Sequence, residues 1–315
     1  PNIGFLILFR ILQGLAIAGL GAVCRAVATD CFAGKELTKA MTYLSSCWAL
    51  GPILGPFIGG YLQYYFGWQA DFYFFGIYGL IVLTYIVTVM PETNRQLQPW
   101  RLSSIFKAIT TMLSHPLFLC GSLILSMVYA ALVVFNVIGP FLIQTTLHYS
   151  SISYGRIALF LGLSYFLGNI SNRWLIDYMN SKHIILVSMS SAFASAVILL
   201  LVNSYLAMNL YSIIIPVFCL FYCCGLLFPN IMAKCIGLFP QYSGTASAIF
   251  GSCVAIGVSI MSSIATMLKT SSITPLATMY VITLACCLLL LLLSKGLTMQ
   301  NNKEVIFISR FYLLY

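Results

Sequence analysis

Residues 184–203 read IILVSMSSAFASAVILLLVN, twenty positions without a charge. Wound as a helix, a run of that length and apolarity matches the ~30 Å hydrocarbon core of a bilayer. Comparable runs recur at 3–24, 41–62, 72–90, 117–138, 155–172, 208–228, 244–267 and 275–294, which makes nine candidate spans. They exceed the roughly 10 residues of a barrel strand and do not alternate polar with apolar, so they read as helices. The chain is 61% hydrophobic and 7% charged over 315 residues. A soluble domain carries about 25% charged residues, and this chain has too few to cover a water-facing surface. The expected fold class is an all-α polytopic membrane protein.

The net charge of +9 sets topology rather than a nucleic-acid surface, because no basic patch with interleaved aromatics is present. Twelve basic residues fall on one side of the nine spans, among them Arg25, Lys107, Arg173, Lys182 and Lys234. Two, Arg156 and Lys269, fall on the other, and Arg10 lies within a span. By the positive-inside rule the 91–116 loop and the C-terminus are cytoplasmic. Within that loop Leu102, Ile105, Phe106, Ile109 and Leu113 recur at helical spacing, which predicts a helix lying on the membrane surface. Nine spans then place residue 1 outside. The first apolar run is already under way at Ile3 with no basic segment or cleavage site ahead of it, so no signal peptide is read, and the chain is expected to be the interior of a longer protein. The eleven cysteines sit mostly inside apolar runs without paired CxxC spacing, and the three histidines stand apart. No metal and no cofactor are expected.

Arg10 is the one charge well inside a span. An intramembrane arginine costs a few kcal/mol, so it normally faces a bundle interior or a water-filled cavity. Gln13 lies one turn along the same face. Residues 51–60, GPILGPFIGG, contain four glycines and two prolines within a candidate span. Gly51, Gly55 and Gly59 recur every four residues and would let a neighbouring backbone approach closely. Pro52 and Pro56 each remove a backbone hydrogen bond and bend the helix. The helix expected at 244–267 carries a comparable run of small residues, Gly244, Ser247 or Ala248, Gly251, Ala255 and Ser259.

Residues 6–14, LILFRILQG, resemble motif B of the major facilitator superfamily, and 51–60 resemble its antiporter motif C, with Gly51, Gly55, Pro56, Gly59 and Gly60 in register. The stretches RAVATDCFAGKELTKAMTYL and YLQYYFGWQADFYF, and later GPFLI, FPNIMA and SGTASA, are similar to Bcr/CflA-type drug:proton antiporters. The resemblance implies helices four to twelve of a twelve-helix carrier. Residues 1–90 would be the remainder of the first six-helix half, 91–116 the central cytoplasmic loop, 117–294 the second half and 295–315 a cytoplasmic tail. It assigns proton coupling to Arg10, Gln13 and Gly14, and a hinge between halves to the motif C helix (Gly51, Pro52, Gly55, Pro56, Gly59, Gly60). Arg25 and Asp30 at the end of the first span, with Arg173 and Asp177 in GNISNRWLID, would be interface charges of the motif A kind. None of the six acidic residues lies within a span, so a coupling carboxylate would belong to the helices that the resemblance places before residue 1.

Polar and aromatic residues mark a candidate substrate face. Ser122, Ser126, Tyr129 and Asn136 run along one span, Tyr165, Asn169 and Asn172 along the next, and Tyr222 and Asn230 lie further on. Tyr129, Asn136, Tyr165, Asn169 and Tyr222 suit a broad cavity for amphipathic molecules; gluing helices together is the competing use. The expected function is proton-coupled efflux of small drug-like molecules by alternating access, in a multi-pass protein of a bacterial inner membrane. Its partners would be a small-molecule substrate, protons and lipid, with the chain a monomer. The alternatives are a siderophore or metabolite exporter of the same fold, or a truncated carrier that does not transport. Enzyme motifs such as HExxH or a nucleophile–base pair are not found in the sequence.

Overall fold

The computed structural model describes residues 3–31, 50–51, 54–90, 102–205, 209–239, 243–268 and 272–312. Among these, every regular element is helical: α1 (Ile3–Cys31), α2 (54–66), α3 (Gln69–Val89), α4 (Leu102–Leu113), α5 (Pro116–Pro140), α6 (Ser151–Tyr178), α7 (Ser181–Tyr205), α8 (Leu210–Gly237), α9 (Ser243–Thr266) and α10 (Thr274–Tyr312). Among the described residues six helices are long and apolar enough to cross a membrane: Gln69–Val89, Pro116–Thr146, Ser181–Tyr205, Leu210–Gly237, Thr245–Thr266 and Thr274–Leu293. Of the other three expected spans, 3–24 falls on α1, whose apolar stretch is Ile3–Ile17, and 155–172 on α6, which carries Arg156, Arg173 and Asp177; residues 41–49 and 52–53 of the expected span 41–62 lie outside the described residues, and 54–62 fall on α2. The predicted surface helix is α4; it packs on α5 and α9 and buries Met112 while Phe106 stays exposed.

The helices form two compact units, one of Pro1–Pro52 with Trp68–Arg101, the other of Ile53–Gly67 with Leu102–Tyr315. In the first, α3 buries none of its residues. A helix apolar all round suits a lipid environment and would be costly in water. In the second, α5 and α8 are central. The first packs on α8, α9 and α10, and the second on α6 and α7. Their shared core includes Leu125, Val128, Phe135, Leu220, Leu227 and Tyr280, all buried.

Inside a bilayer, apolar burial does little to hold helices together, so close packing and hydrogen bonds must do it. Gly168 on α6 and Gly225 on α8 face each other so closely that a Cβ on either would fall on a backbone carbonyl of the other helix, Tyr222 or Tyr165. On α9 the packed glycine is Gly257, whose added Cβ would strike Ser126 of α5, whereas Gly251 has open space. Ser126 Oγ also donates across this contact to the Cys253 carbonyl at 3.1 Å. Ser164 Oγ of α6 donates to the Phe218 carbonyl at 2.6 Å, and Tyr280 Oη of α10 to the Ala131 carbonyl at 2.8 Å.

Prolines in these helices leave carbonyls to be satisfied from elsewhere. Pro216 in α8 has no N–H for the Ser212 carbonyl, and the Asn203 amide of α7 donates to that oxygen at 3.3 Å. Asn209 caps the same helix, accepting from the Ser212 N–H at 2.8 Å, while the Ser212 hydroxyl accepts from the Asn209 N–H at 3.2 Å. At the end of α5, Pro140 is followed by a π-helical segment, Phe141–Thr146, closed by Leu147 N–H donating to the Leu142 carbonyl at 3.1 Å. The span expected at 117–138 thus continues past Pro140 with a change of helix type.

Candidate functional site

In the first unit, the only charge within the apolar part of α1 has two partners. Arg10 Nη1 donates to Gln13 Oε1 at 3.1 Å, and the guanidinium carbon lies 5.0 Å from the centre of the Phe72 ring on α3. The three-residue spacing on a helix brings the amide to the guanidinium. The π face offers further electrostatic attraction without a second charge. Among the described residues Arg10 forms no ion pair. Gly14, one residue beyond Gln13, has nothing within 4 Å of an added Cβ. Arg25 and Asp30 lie on α1, but their side chains are outside the described residues, as is Pro52.

In the second unit, α2 lies directly on α6. A Cβ on Gly60 would come within 2.7 Å of the Ser151 carbonyl oxygen and 3.2 Å of Gly155 Cα. A Cβ on Gly155 would reach the Pro56 carbonyl oxygen at 3.1 Å and that of Phe57 at 3.3 Å. Gly60 is buried, Gly59 and Pro56 are half-buried, and Gly51 and Gly55 are exposed with nothing within 4 Å of an added Cβ. Close approach is therefore made at Gly60, on the carbonyl side of Pro56 and Phe57. Arg156 follows Gly155 on α6, and its Nε and Nη2 donate to Tyr61 Oη at 3.4 and 3.3 Å.

The cavity candidates divide between two uses. Asn172 and Asn230, only 4% and 2% exposed, hydrogen-bond each other between α6 and α8, and Asn230 Nδ2 also donates to the Leu226 carbonyl at 2.9 Å. Tyr129 is half-buried with its ring 5.7 Å from that of Phe228. Tyr165 is buried on α6, and Asn169 Nδ2 donates to its carbonyl at 3.1 Å. Asn136 accepts a long bond from Tyr154 Oη at 3.5 Å. Tyr222 is half-buried and gives its carbonyl to the Gly168 contact. Tyr129 and Phe228 thus pair their rings between α5 and α8, and Tyr165 and Asn169 lie one turn apart on α6. Arg173 and Asp177 stand one turn apart on α6, both exposed. Among the described residues no three His, Cys, Asp or Glu side chains gather as a metal would need.

Phe72, Tyr61, Arg156 and Gly155 were not singled out by sequence reasoning as site residues. The glycine before Arg156 and the aromatic run around Tyr61 were visible signals. Nothing in them named the partner.

Long apolar helices with glycine contacts, side-chain bonds to carbonyls and a lone arginine in an apolar span define a multi-pass membrane protein. Residues 1–262 match the Major Facilitator Superfamily, and the chain belongs to that family of transporters. It is similar to an uncharacterized transporter of Rickettsia felis, 26% identical over 259 residues that cover 79% of this chain and 64% of the relative. A bicyclomycin resistance protein homolog of Haemophilus influenzae is 24% identical over 314 residues, covering 96% of this chain and 76% of that one. Multidrug resistance protein D of Escherichia coli is 25% identical over 260 residues, covering 82% and 64%. The chain thus spans a little under two thirds of the Rickettsia and Escherichia relatives.

Proposed function

We propose that this protein is a secondary active transporter that exports small amphipathic, drug-like molecules in exchange for protons. The observation that carries the reading is the family match over residues 1–262 together with the bicyclomycin-resistance relative aligned over nearly the whole chain. Residues 1–90 and 117–294 belong to the two halves, which rock around a site near the membrane midplane. Tyr129, Tyr165 and Asn169, with Asn136 and Tyr222, offer aromatic faces and few polar groups, as a broad-specificity cavity requires. Arg10, held by Gln13 and Phe72, supplies a fixed positive potential in the membrane. Such a charge favours the ionised form of a carboxyl group near it and so links proton release to the transport cycle. The charge asymmetry of the loops supports a cytoplasmic C-terminus in a bacterial inner membrane. The protein works as a monomer.

Arg10→Ala tests the coupling role. In cells expressing the chain, the substitution is expected to abolish efflux driven by an imposed pH gradient while leaving the amount of protein in the membrane unchanged. Gradient-driven efflux at the unsubstituted rate would remove Arg10 from the mechanism.

A further inference from the structure

We propose that Tyr61 and Arg156 form a latch on the outer side of the membrane, which closes α2 on α6 and releases when the carrier opens outward; the release rests on the alternating-access reading above. At this crossing the two helices touch backbone to backbone. Gly60 lies against the Ser151 carbonyl and Gly155, and Gly155 lies against the Pro56 and Phe57 carbonyls. No side chain stands between them, so a small separation opens a gap at once. The residue after each of these glycines carries the polar pair: Tyr61 follows Gly60, and Arg156 follows Gly155. The phenol oxygen accepts from two nitrogens of one guanidinium, at 3.4 and 3.3 Å.

The Tyr61 ring is braced along its own helix, 5.2 Å from Phe57 edge-on and 6.5 Å from Tyr65 stacked. It therefore keeps its orientation on α2 when that helix moves. Arg156 is exposed, and among the described residues it has no carboxylate partner. Two long bonds at an exposed site contribute little, which is what a contact that opens and closes requires. Once released, the guanidinium can stay hydrated by extending along its stem, so opening does not strand a charge in lipid. Arg156 is also one of two basic residues on the side away from the cytoplasm in the topology above, which puts the latch at the outer face.

The test is accessibility of the helix crossing in intact cells. Ser151→Cys places a thiol at a buried position whose carbonyl covers Gly60. Its reaction with a membrane-impermeant maleimide is measured against the same protein without that substitution, because eleven native cysteines are present. Adding Tyr61→Phe, which keeps the ring and removes the acceptor, is expected to raise the labelling rate about fivefold, the effect of losing roughly 1 kcal/mol of closure. Arg156→Ala is expected to do the same. Equal rates with and without these substitutions would overturn the latch. The readout does not depend on any exported compound. A chain that exports no dye but shows the rise keeps the latch and loses the transport reading, and a chain that exports dye without the rise does the reverse.

Discussion

Asn172 and Asn230 show how much one polar side chain weighs in this interior. Each is buried, and each holds the other across two helices. Replacing Asn230 with Leu leaves the Asn172 amide without its cross-helix partner, at a cost of about 1–2 kcal/mol. The expected result is a lower thermal unfolding midpoint for the purified protein in detergent, with the double variant N172L/N230L losing less than the sum of the two single changes. Strict additivity would mean the two amides are not coupled. The same pair explains why polar residues in a span are poor guides to a cavity: an amide that lines a path and one that joins two helices look alike in sequence.

At the scale of elements, the glycine contacts decide which helices can lie against each other. Gly168→Ala is expected to force α6 and α8 apart, because the new methyl meets the Tyr222 backbone, which cannot swing away like a side chain. Overpacking of this kind costs about 1–3 kcal/mol. Gly251→Ala on α9, which points into open space, is expected to be neutral or slightly stabilising. Thermal unfolding of the two variants side by side checks the contrast; equal effects would mean the α6–α8 crossing is loose. The existence of the elements was legible from the apolar runs, since the described residues of every expected span lie on a helix, and the helix at Leu102–Leu113 was legible from its apolar spacing. The pairings were not. The spans are apolar on all sides, so no stripe marks the face that will be buried. A glycine announces a close approach without naming the partner: the motif of 51–60 marks Gly60 together with Gly51, Gly55 and Gly59, and the backbone contact made at Gly60 is with a helix almost a hundred positions later. Arg10 and Gln13 could be joined because three residues on a helix fix their geometry. The rings at Phe72 and Tyr61 could not, because their partners come from distant sequence.

At the scale of the whole molecule, family membership and the six apolar helices fit a carrier built from repeated helix bundles. The proposal that it exports amphipathic molecules against protons joins three separate features: the arginine in α1, the aromatic residues of α5, α6 and α8, and the α2–α6 crossing. The most direct measurement loads cells expressing the protein with a fluorescent cationic dye, energises them, and follows loss of the dye with and without a protonophore. Faster loss than in cells without the protein, abolished by the protonophore, is the predicted result. Dye loss indistinguishable from that of control cells across a panel of amphipathic compounds, with the protein present in the inner membrane, would contradict it.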